Sequence, residues 1–105
     1  MNKQNSDLLE ILRRIFNEPN STQRDLAKNL NLSLGKVNYC LKALKDKGFI
    51  KINNFKKNPN KMYYAYILTP KGIKEKMRLT VNFMKRKFHE YEELKKELES
   101  ENNKK

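Results

Sequence analysis

The sequence predicts a mainly α-helical chain with one small β-hairpin, an α+β fold. Four segments repeat apolar residues at spacings of three and four, which is the pattern of a helix that buries one face. Two short runs that are typical of strands precede the fourth of these segments, and the second run is rich in tyrosine and β-branched residues. A polar connector separates the two runs, which indicates a β-hairpin. Only three glycines and three prolines occur in the 105 residues, so regular structure can extend over most of the chain.

The first predicted helix runs from about Asp7 to Phe16. Ser6 is the expected N-cap, because a serine hydroxyl accepts a hydrogen bond from a backbone N–H of the first turn. The apolar stripe of this helix consists of Leu8, Ile11, Leu12 and Ile15. The segment 17–20, Asn-Glu-Pro-Asn, is expected to end the helix because a proline cannot continue it.

The second predicted helix runs from about Gln23 to Leu30. Thr22 and Asp25 have the spacing of a capping box, in which the side chain of each residue bonds the backbone N–H of the other. Asn31 is expected to end the helix, since asparagine tolerates the left-handed conformation of a tight turn. The buried face of this helix consists of Leu26, Ala27 and Leu30.

The third predicted helix begins after a turn of three residues and extends from about Ser33 to Lys47. Ser33 is the expected N-cap, and Gly48 is the expected left-handed residue after the C-cap. The inward stripe consists of Val37, Cys40, Leu41 and Leu44. On this stripe Cys40 is predicted to be a small core residue rather than a redox sensor.

Two strands and a long helix follow. The strands are expected over 49–54 and 62–68, joined by the polar, basic, turn-forming connector 55–61. The last helix is expected to begin with Thr69 as N-cap and Pro70 in its first turn. It is expected to tolerate Gly72 at a cost of about 1 kcal/mol and to run to about Ser100, with residues 101–105 frayed.

Two helices joined by a tight turn form a helix-turn-helix motif, whose second helix enters the major groove of DNA. A basic hairpin directly after this motif is typical of a wing. The sequence therefore predicts a winged helix-turn-helix unit over residues 1–69 and a C-terminal dimerisation helix over residues 70–105. Charge agrees with nucleic-acid binding, since 24 basic and 12 acidic residues give a net charge of +12 and a pI near 9.9.

DNA contacts are predicted on the outward face of the third helix and on the wing. Lysine can donate to guanine, asparagine can pair with adenine, and tyrosine can contact a phosphate or a thymine methyl. The outward face comprises Ser33, Leu34, Gly35, Lys36, Asn38, Tyr39 and Lys42. Contacts from the wing and the flank are assigned to Arg24, Lys28, Lys56, Lys57, Asn58 and Lys61. Taken singly, each of these side chains is also explained as an ordinary solvated residue.

Several segments resemble the winged-helix core of MarR-type transcription regulators. They are residues 22–27 (Thr-Gln-Arg-Asp-Leu-Ala), 32–44 (Leu-Ser-Leu-Gly-Lys-Val-Asn-Tyr-Cys-Leu-Lys-Ala-Leu), 47–51 and 66–72. Within that group the chain is most similar to short regulators associated with extracellular polysaccharide (EPS) gene clusters, through residues 34–41 and 51–55.

The resemblance implies a prokaryotic DNA-binding transcription factor with the recognition helix and the wing in the places assigned above. Two departures limit it. The usual MarR wing carries an Asp-x-Arg motif, whereas the connector 55–61 has lysines and asparagines. Larger members also have extra terminal helices that form the dimer and a small-ligand pocket, whereas one short helix precedes the motif here and one long helix follows it. The resemblance therefore does not predict the usual phenolic-ligand pocket, and a small-molecule effector stays open.

The last helix carries a second apolar stripe, which predicts self-association. Its members follow one another at alternating steps of four and three, with Lys95 in the one missing place: Met77, Val81, Met84, Phe88, Tyr91 and Leu98. This is about three heptads of a coiled-coil seam, longer than a winged domain of about 70 residues can cover. We therefore expect a homodimer through this helix. The alternative is a helix that folds back over the wing strands.

Charge along the last helix is segregated. Residues 70–87 carry seven basic side chains and one acidic side chain, whereas residues 88–101 carry two basic and six acidic ones. A parallel pair would place like charges side by side, so the pattern predicts an antiparallel pair. The alternative explanation is that the basic half lies near DNA.

Enzymatic and metal-binding functions are not predicted. Cys40 is the only cysteine and His89 the only histidine, so neither a disulfide nor a Cys/His metal site can form within the chain. No nucleophile–base pair, carboxylate dyad or glycine-rich phosphate loop stands out, and we expect no catalytic site and no cofactor. Neither a signal peptide nor a membrane span is recognisable, which predicts a cytoplasmic protein at the nucleoid.

The function predicted from sequence is specific binding of double-stranded DNA by a homodimer, at an inverted repeat with half-sites about 10 bp or a multiple apart. The expected result is control of nearby genes, with polysaccharide biosynthesis suggested by the resemblance. Two alternatives remain open at this point. One is an RNA-binding or nucleoid-associated winged helix, and the other is a protein-interaction adaptor that acts through the C-terminal helix.

Overall fold

The computed structural model describes residues 3–58 and 61–103, with the backbone alone for residues 3–4, 54–58 and 61–63. Its elements are α1 (Lys3–Asn17), β1 (Ser21–Thr22), α2 (Gln23–Leu30), α3 (Leu34–Asp46), β2 (Ile50–Asn58), β3 (Lys61–Leu68) and α4 (Pro70–Asn103). The strands form an antiparallel sheet in the order β1-β3-β2. These elements form a winged helix-turn-helix fold followed by a long helix, which confirms the predicted fold class.

The core lies where α1, α2 and α3 meet, and the sheet and the start of α4 close it. The fully buried large side chains come from the three helices and β2: Ile11, Leu12, Ile15, Leu26, Val37, Cys40, Leu44 and Ile50. In α1 the buried residue of the first turns is Leu9, whereas the predicted Leu8 is only partly buried against the core. The apolar stripes of α1 and α3 therefore pack inward, and this packing fixes which side of each helix remains for other contacts.

The N-terminal boundary of α1 was predicted wrongly. The helix begins at Lys3, so Ser6 lies inside it and is not its N-cap. Lysine and glutamine are good helix formers, and nothing in residues 3–5 stops the helix before Ser6. The early start places Asp7 in the second turn of α1, where it is buried.

The caps of α2 were predicted correctly. The Thr22 hydroxyl accepts a hydrogen bond from the Asp25 N–H at 3.1 Å, and the Asp25 carboxylate accepts one from the Thr22 N–H at 3.1 Å. Asn31 then ends the helix with φ 55° and ψ 44°, in the left-handed region. Each cap satisfies backbone groups that a helix end leaves unpaired, and both were recognisable from adjacent residues alone.

The sheet extends further than predicted. Ser21 and Thr22 form β1, an unpredicted strand that pairs with Tyr66 and Ala65 of β3. The ladder between β2 and β3 continues to Asn58 and Lys61, so the predicted connector 55–61 shortens to residues 59–60, which lie outside the described residues. Cross-strand hydrogen bonds outweigh the low strand propensity of lysine and asparagine in the hairpin.

The end of α3 and the start of α4 meet in one junction. Gly48, at φ +78°, closes α3 with a Schellman motif, in which its N–H donates to Lys45 O and the Phe49 N–H donates to Leu44 O. Thr69 caps α4 by accepting a hydrogen bond from the Gly72 N–H at 3.0 Å.

Two further hydrogen bonds tie these ends together. The Thr69 hydroxyl donates to the Gly48 carbonyl oxygen at 2.6 Å, and the Thr69 N–H donates to the Phe49 carbonyl oxygen at 3.1 Å. Gly72 is buried at this point, and a β-carbon there would overlap the Phe49 carbonyl. The expectation that Gly72 is merely tolerated was therefore wrong, because this position has no room for a side chain.

The helix α4 leaves the winged domain after its first turns. Leu79 is buried and Phe83 is packed against the core, so the beginning of the helix lies along the domain and contacts α1. Beyond them the helix continues to Asn103, and the molecule measures 71 × 25 × 20 Å. The alternative that α4 folds back over the wing strands is therefore wrong.

The Gly72→Ala variant should lower the free energy of unfolding by about 2–4 kcal/mol, because the new methyl group forces the start of α4 away from Phe49. Urea unfolding at a fixed protein concentration measures the change. Gly35→Ala is the matched control, because a β-carbon at position 35 meets nothing within 4 Å. It should raise stability by about 0.5–1 kcal/mol. Equal urea midpoints for the two variants would contradict the close approach.

Candidate nucleic-acid interface

A turn of three residues fixes the position of α3 relative to α2. Asn31 reverses the chain, and the Leu32 N–H donates to the Ala27 carbonyl oxygen at 3.0 Å. The hydroxyl of Ser33 then accepts a hydrogen bond from the Lys36 N–H at 3.1 Å, as expected of the N-cap of α3. The turn therefore sets where the first residues of α3 stand on the surface.

A hydrogen bond that sequence analysis did not predict connects the starts of α2 and α3. The Gln23 side-chain amide donates to the Leu34 carbonyl oxygen at 3.1 Å. Leu34 belongs to the first turn of α3, whose amino end is the part of a recognition helix that contacts base edges. Gln23 therefore holds the part of α3 where DNA contacts were predicted.

The outer face of α3 is polar and accessible. Asn38, Tyr39 and Lys42 are exposed, and Ser33, Leu34 and Gly35 are exposed at the amino end. The four inward positions are all buried: Val37, Cys40, Leu41 and Leu44. This exposure agrees with the predicted direction of these side chains, whereas their contact with DNA remains a prediction.

Lys36 does not share this outward face. Its ammonium lies 3.6 Å from the Asp7 carboxylate of α1, and the two side chains are 37% and 13% exposed. Position 36 is about 90° around the helix from the middle of the apolar stripe, on the side that faces α1. The expectation that Lys36 projects outward with Asn38 is therefore corrected, because Lys36 links the first turn of α3 to the preceding helix.

Cys40 lies close to this ion pair and is fully buried. Burial raises the pKa of the Cys40 thiol, the charge of Lys36 opposes the increase, and Asp7 adds to it. A buried thiol held in its neutral form is a poor nucleophile. The structure therefore agrees with the prediction that Cys40 is a packing residue.

A groove joins the outer face of α3 to the sheet. It is lined on the α3 side by Asn38, Leu41, Lys42, Lys45 and Asp46, and on the sheet side by Ile52 and Tyr66. Its volume is about 270 Å³. The base of the β2–β3 hairpin therefore lies beside the edge of α3 that carries Asn38 and Lys42, so the outer face of α3 and the hairpin adjoin.

Five lining residues of this groove had not been assigned to the interface: Leu41, Lys45, Asp46, Ile52 and Tyr66. The position of Lys45 was recognisable from the sequence, because Asn38, Lys42 and Lys45 follow one another at helical spacings of four and three. Burial raises the pKa of the Tyr66 hydroxyl, with a further increase from Tyr64. Tyr66 is therefore a neutral wall of the groove, and Lys45 adds a positive charge at its edge.

The remaining predicted contact residues are distributed around this face. Arg24 and Lys28 are exposed on α2. The side chains of the wing residues lie outside the described residues: Lys56, Lys57, Asn58 and Lys61. Within the described part of the chain, no three metal-ligating side chains come together. Among the same residues, no helix has the length and hydrophobicity needed to cross a membrane.

Sequence comparison identifies the helix-turn-helix region. Residues 7–51 match the sequence profile of the family described as winged helix-turn-helix DNA-binding. This range includes α1, α2 and α3 and ends at the start of β2. No curated protein sequence is detectably similar to the chain.

Solved structures with the same fold include MarR regulators. The PcaV transcriptional regulator from Streptomyces coelicolor, solved with its natural ligand, is 19% identical, with a TM-score of 0.69 over 76% of this chain and 55% of its own. A MarR transcriptional regulator from Methanosarcina mazei Go1 is 22% identical, with a TM-score of 0.63 over 80% of this chain and 61% of its own. FabT from Streptococcus pneumoniae, solved in complex with DNA, is 23% identical, with a TM-score of 0.59 over 86% of this chain and 59% of its own. The chain spans somewhat more than half the length of these three proteins, with which it shares the fold.

The Asp7–Lys36 pair should contribute a coupling free energy of about 1 kcal/mol, more than a surface pair because Asp7 is largely buried. Urea unfolding of Asp7→Asn, Lys36→Met and the double variant gives this coupling through a double-mutant cycle. The exposed Arg13–Glu10 pair at 3.3 Å is the matched control. Its cycle should give about 0.3 kcal/mol. Equal couplings in the two cycles would contradict a positioning role for Lys36.

Proposed function

We propose that the chain is a MarR-type transcription regulator that binds double-stranded DNA sequence-specifically as a homodimer. The observation that carries the proposal is the single surface formed by the outer face of α3 and the base of the β2–β3 hairpin. The major groove of B-DNA is about 12 Å wide and admits one helix, and a hairpin beside that helix can follow the phosphate backbone. The similarity to FabT, which was solved with DNA, supports this assignment.

The side chains on this surface divide into two groups, those that contact bases and those that contact the phosphate backbone. Asn38 and Lys42 are the base-reading candidates, because they stand on the exposed centre of α3 and carry the groups that pair with adenine and guanine. Tyr39 contacts a phosphate or a thymine methyl beside them, and Gly35 allows a close approach of the amino end of α3, where Leu34 is also exposed. Phosphate contacts come from Arg24, Lys28, Lys45 and the wing residues Lys56, Lys57, Asn58 and Lys61.

Homodimerisation through α4 is supported by the side chains that the domain leaves uncovered. The stripe residues of α4 are between 48% and 66% exposed: Met77, Val81, Met84, Phe88, Tyr91 and Leu98. Contiguous apolar surface of this extent on a soluble protein marks an interaction site. A dimer presents two α3 helices, which fits an inverted repeat in DNA. Occupation of such a site controls nearby genes, with repression by occlusion as the simpler mechanism, and the EPS resemblance points to polysaccharide biosynthesis genes among them.

Lys42→Ala should weaken binding to DNA fragments selected by the wild-type protein from a random pool by about 5–100-fold. The expected loss follows from the removal of one cation from the centre of the recognition face. Fluorescence anisotropy at 150 mM salt measures the affinity. Lys96→Ala, which removes an exposed lysine near the far end of α4, is the control and should bind within about twofold of wild type.

The same selection separates the proposal from its alternatives. A common inverted repeat whose binding persists at 150–200 mM salt supports a specific regulator. Affinity that ignores sequence and disappears with salt supports a nucleoid-associated or RNA-binding protein instead. Selection of no DNA at all would contradict both the specific regulator and a nucleoid-associated protein and would favour an adaptor that acts through α4.

Phe88→Glu should convert the protein to a monomer at about 10 μM and weaken binding to the selected DNA about 100-fold, because two linked half-site contacts become one. Light scattering and anisotropy measure the two effects. His89→Glu is the matched control, since His89 is also exposed on α4 but lies outside the apolar stripe. A Phe88→Glu protein that remains dimeric would contradict dimerisation through this stripe.

A further inference from the structure

The apolar stripe of α4 and the face that packs on the winged domain lie on different sides of the helix. Leu79 is buried against the core and is two positions away from both Met77 and Val81. Two residues correspond to about 200° around an α-helix. The domain therefore does not obstruct the stripe, and a second helix can approach it along the whole length from Met77 to Leu98.

Seam positions on α4 argue against a parallel partner. The heptad that places Met77, Met84, Tyr91 and Leu98 at one core position places Lys74 and Lys95 at the other, together with Val81 and Phe88. In a parallel pair equivalent core residues face each other, so Lys74 would meet Lys74 and Lys95 would meet Lys95. In an antiparallel pair the two core positions face each other instead, so Lys95 can pack against Met84 rather than against a second Lys95.

Charges beside the seam select both the orientation and the register. The positions that directly follow Met77, Met84, Tyr91 and Leu98 are Arg78, Lys85, Glu92 and Glu99. In an antiparallel coiled coil these flanking positions of the two helices face each other. One register places Arg78 opposite Glu99 and Lys85 opposite Glu92, with Phe88 packed on Tyr91 and Val81 on Leu98. If the centre of the pair moves by half a heptad towards the amino end of α4, Lys85 of one copy faces Lys85 of the other. A second move of the same size places Lys85 opposite Arg78. Both alternatives bring like charges together, so the first register is favoured.

We propose that two copies of the chain pair through α4 in antiparallel orientation, with Arg78 of one copy opposite Glu99 of the other and Phe88 against Tyr91. This inference rests on the proposed homodimer and specifies its geometry. The partner is a second copy because the basic half of α4, residues 70–87, complements the acidic half, residues 88–101, of the same sequence.

The antiparallel pairing places the two winged domains at opposite ends of a rod. The centre of the register lies between His89 and Glu90, about 29 Å from the start of α4 at Pro70, so the two helix starts are about 60 Å apart. Each domain extends beyond its helix start, because the molecule is 71 Å long and α4 accounts for about 51 Å of that length. The recognition helices are then closer to two turns of B-DNA apart, about 70 Å, than to one turn. The two half-sites are therefore centred about 20 bp apart.

Cross-linking distinguishes the orientations without reference to DNA. Two differently tagged variants, Arg78→Cys and Glu99→Cys, are treated with a short bismaleimide, separately and as a mixture. The antiparallel pair should give a cross-linked dimer in the mixture and none from either variant alone, because residues 78 of the two copies are then about 30 Å apart. Wild type is the control, since its only cysteine, Cys40, is buried.

Three results would overturn the proposed geometry. They are cross-linking of Arg78→Cys alone, a dimer by light scattering that gives no product in the mixture, and a monomer at every concentration tested. None of them bears on whether the chain selects a DNA sequence, so specific DNA binding would leave the DNA-binding part of the proposed function standing. The two cross-linking results would remove only the geometry, whereas a monomer would also remove the homodimer.

A charge exchange tests the same register by a second route. Arg78→Glu should weaken dimerisation about 5-fold, because it places glutamate opposite Glu99 at both ends of the pair. The double variant Arg78→Glu/Glu99→Arg should return the dimer dissociation constant to within about twofold of wild type. Both variants lose the bond between Arg78 and Glu75 within the chain, so that loss cannot explain the recovery. Failure of the double variant to recover would contradict the register.

Discussion

The contact between the end of α3 and the start of α4 is the constraint on which the rest of the structure depends. Thr69 bonds the carbonyl oxygens of Gly48 and Phe49 and at the same time caps α4 through the Gly72 N–H. The absence of a side chain at Gly72 lets the two backbones approach. Since the β2–β3 hairpin connects these two points, the junction fixes the recognition helix, the wing and α4 relative to one another. A change in the direction of α4 therefore cannot occur without moving α3 or breaking these hydrogen bonds.

This constraint links the two proposed interfaces. The amino end of α3 is held by a second set of contacts, the ion pair between Lys36 and Asp7 and the hydrogen bond from Gln23 to Leu34. With both ends of α3 fixed, the distance between two recognition helices is set by how two α4 helices pair. In a dimer of this kind the spacing of DNA half-sites is a property of the α4 seam rather than of the DNA-binding face.

The features that could be predicted from sequence are those that adjacent residues determine. The capping box of Thr22 and Asp25, the left-handed Asn31 and the turn at Gly48 all depend on hydrogen bonds within a few residues, and each was assigned correctly. The apolar stripe of α3 also predicted which of its residues are buried. Periodicity worked there because one helix face meets one core.

The features that sequence analysis missed depend on residues far apart in the chain. Strand β1 has only two residues, too few to show a period, and exists because β3 pairs with it. Lys36 was assigned to the outer face because the helical period shows only that it lies off the apolar stripe of α3. The period does not show that Asp7, 29 positions earlier in the chain, lies close enough to form an ion pair with it. The sequence alone shows Gly72 only as a residue of low helix propensity, and the need for glycine comes from the Phe49 carbonyl, which lies where a β-carbon would be. In each of these three cases a contact with a distant part of the chain determines the structure, and the local sequence does not show that contact.

The distribution of acidic residues explains how one short chain can serve both interfaces. Six of the twelve acidic residues lie in the segment 88–101 of α4, and only five lie before residue 70. Residues 1–69 carry 13 basic and five acidic side chains, and this net charge of +8 favours the approach of the winged domain to phosphates. The acidic residues concentrated in 88–101 give α4 two halves of opposite sign, which orient a second copy. The same charges spread evenly along α4 would leave the charge of the winged domain unchanged and the direction of the helix pair unspecified.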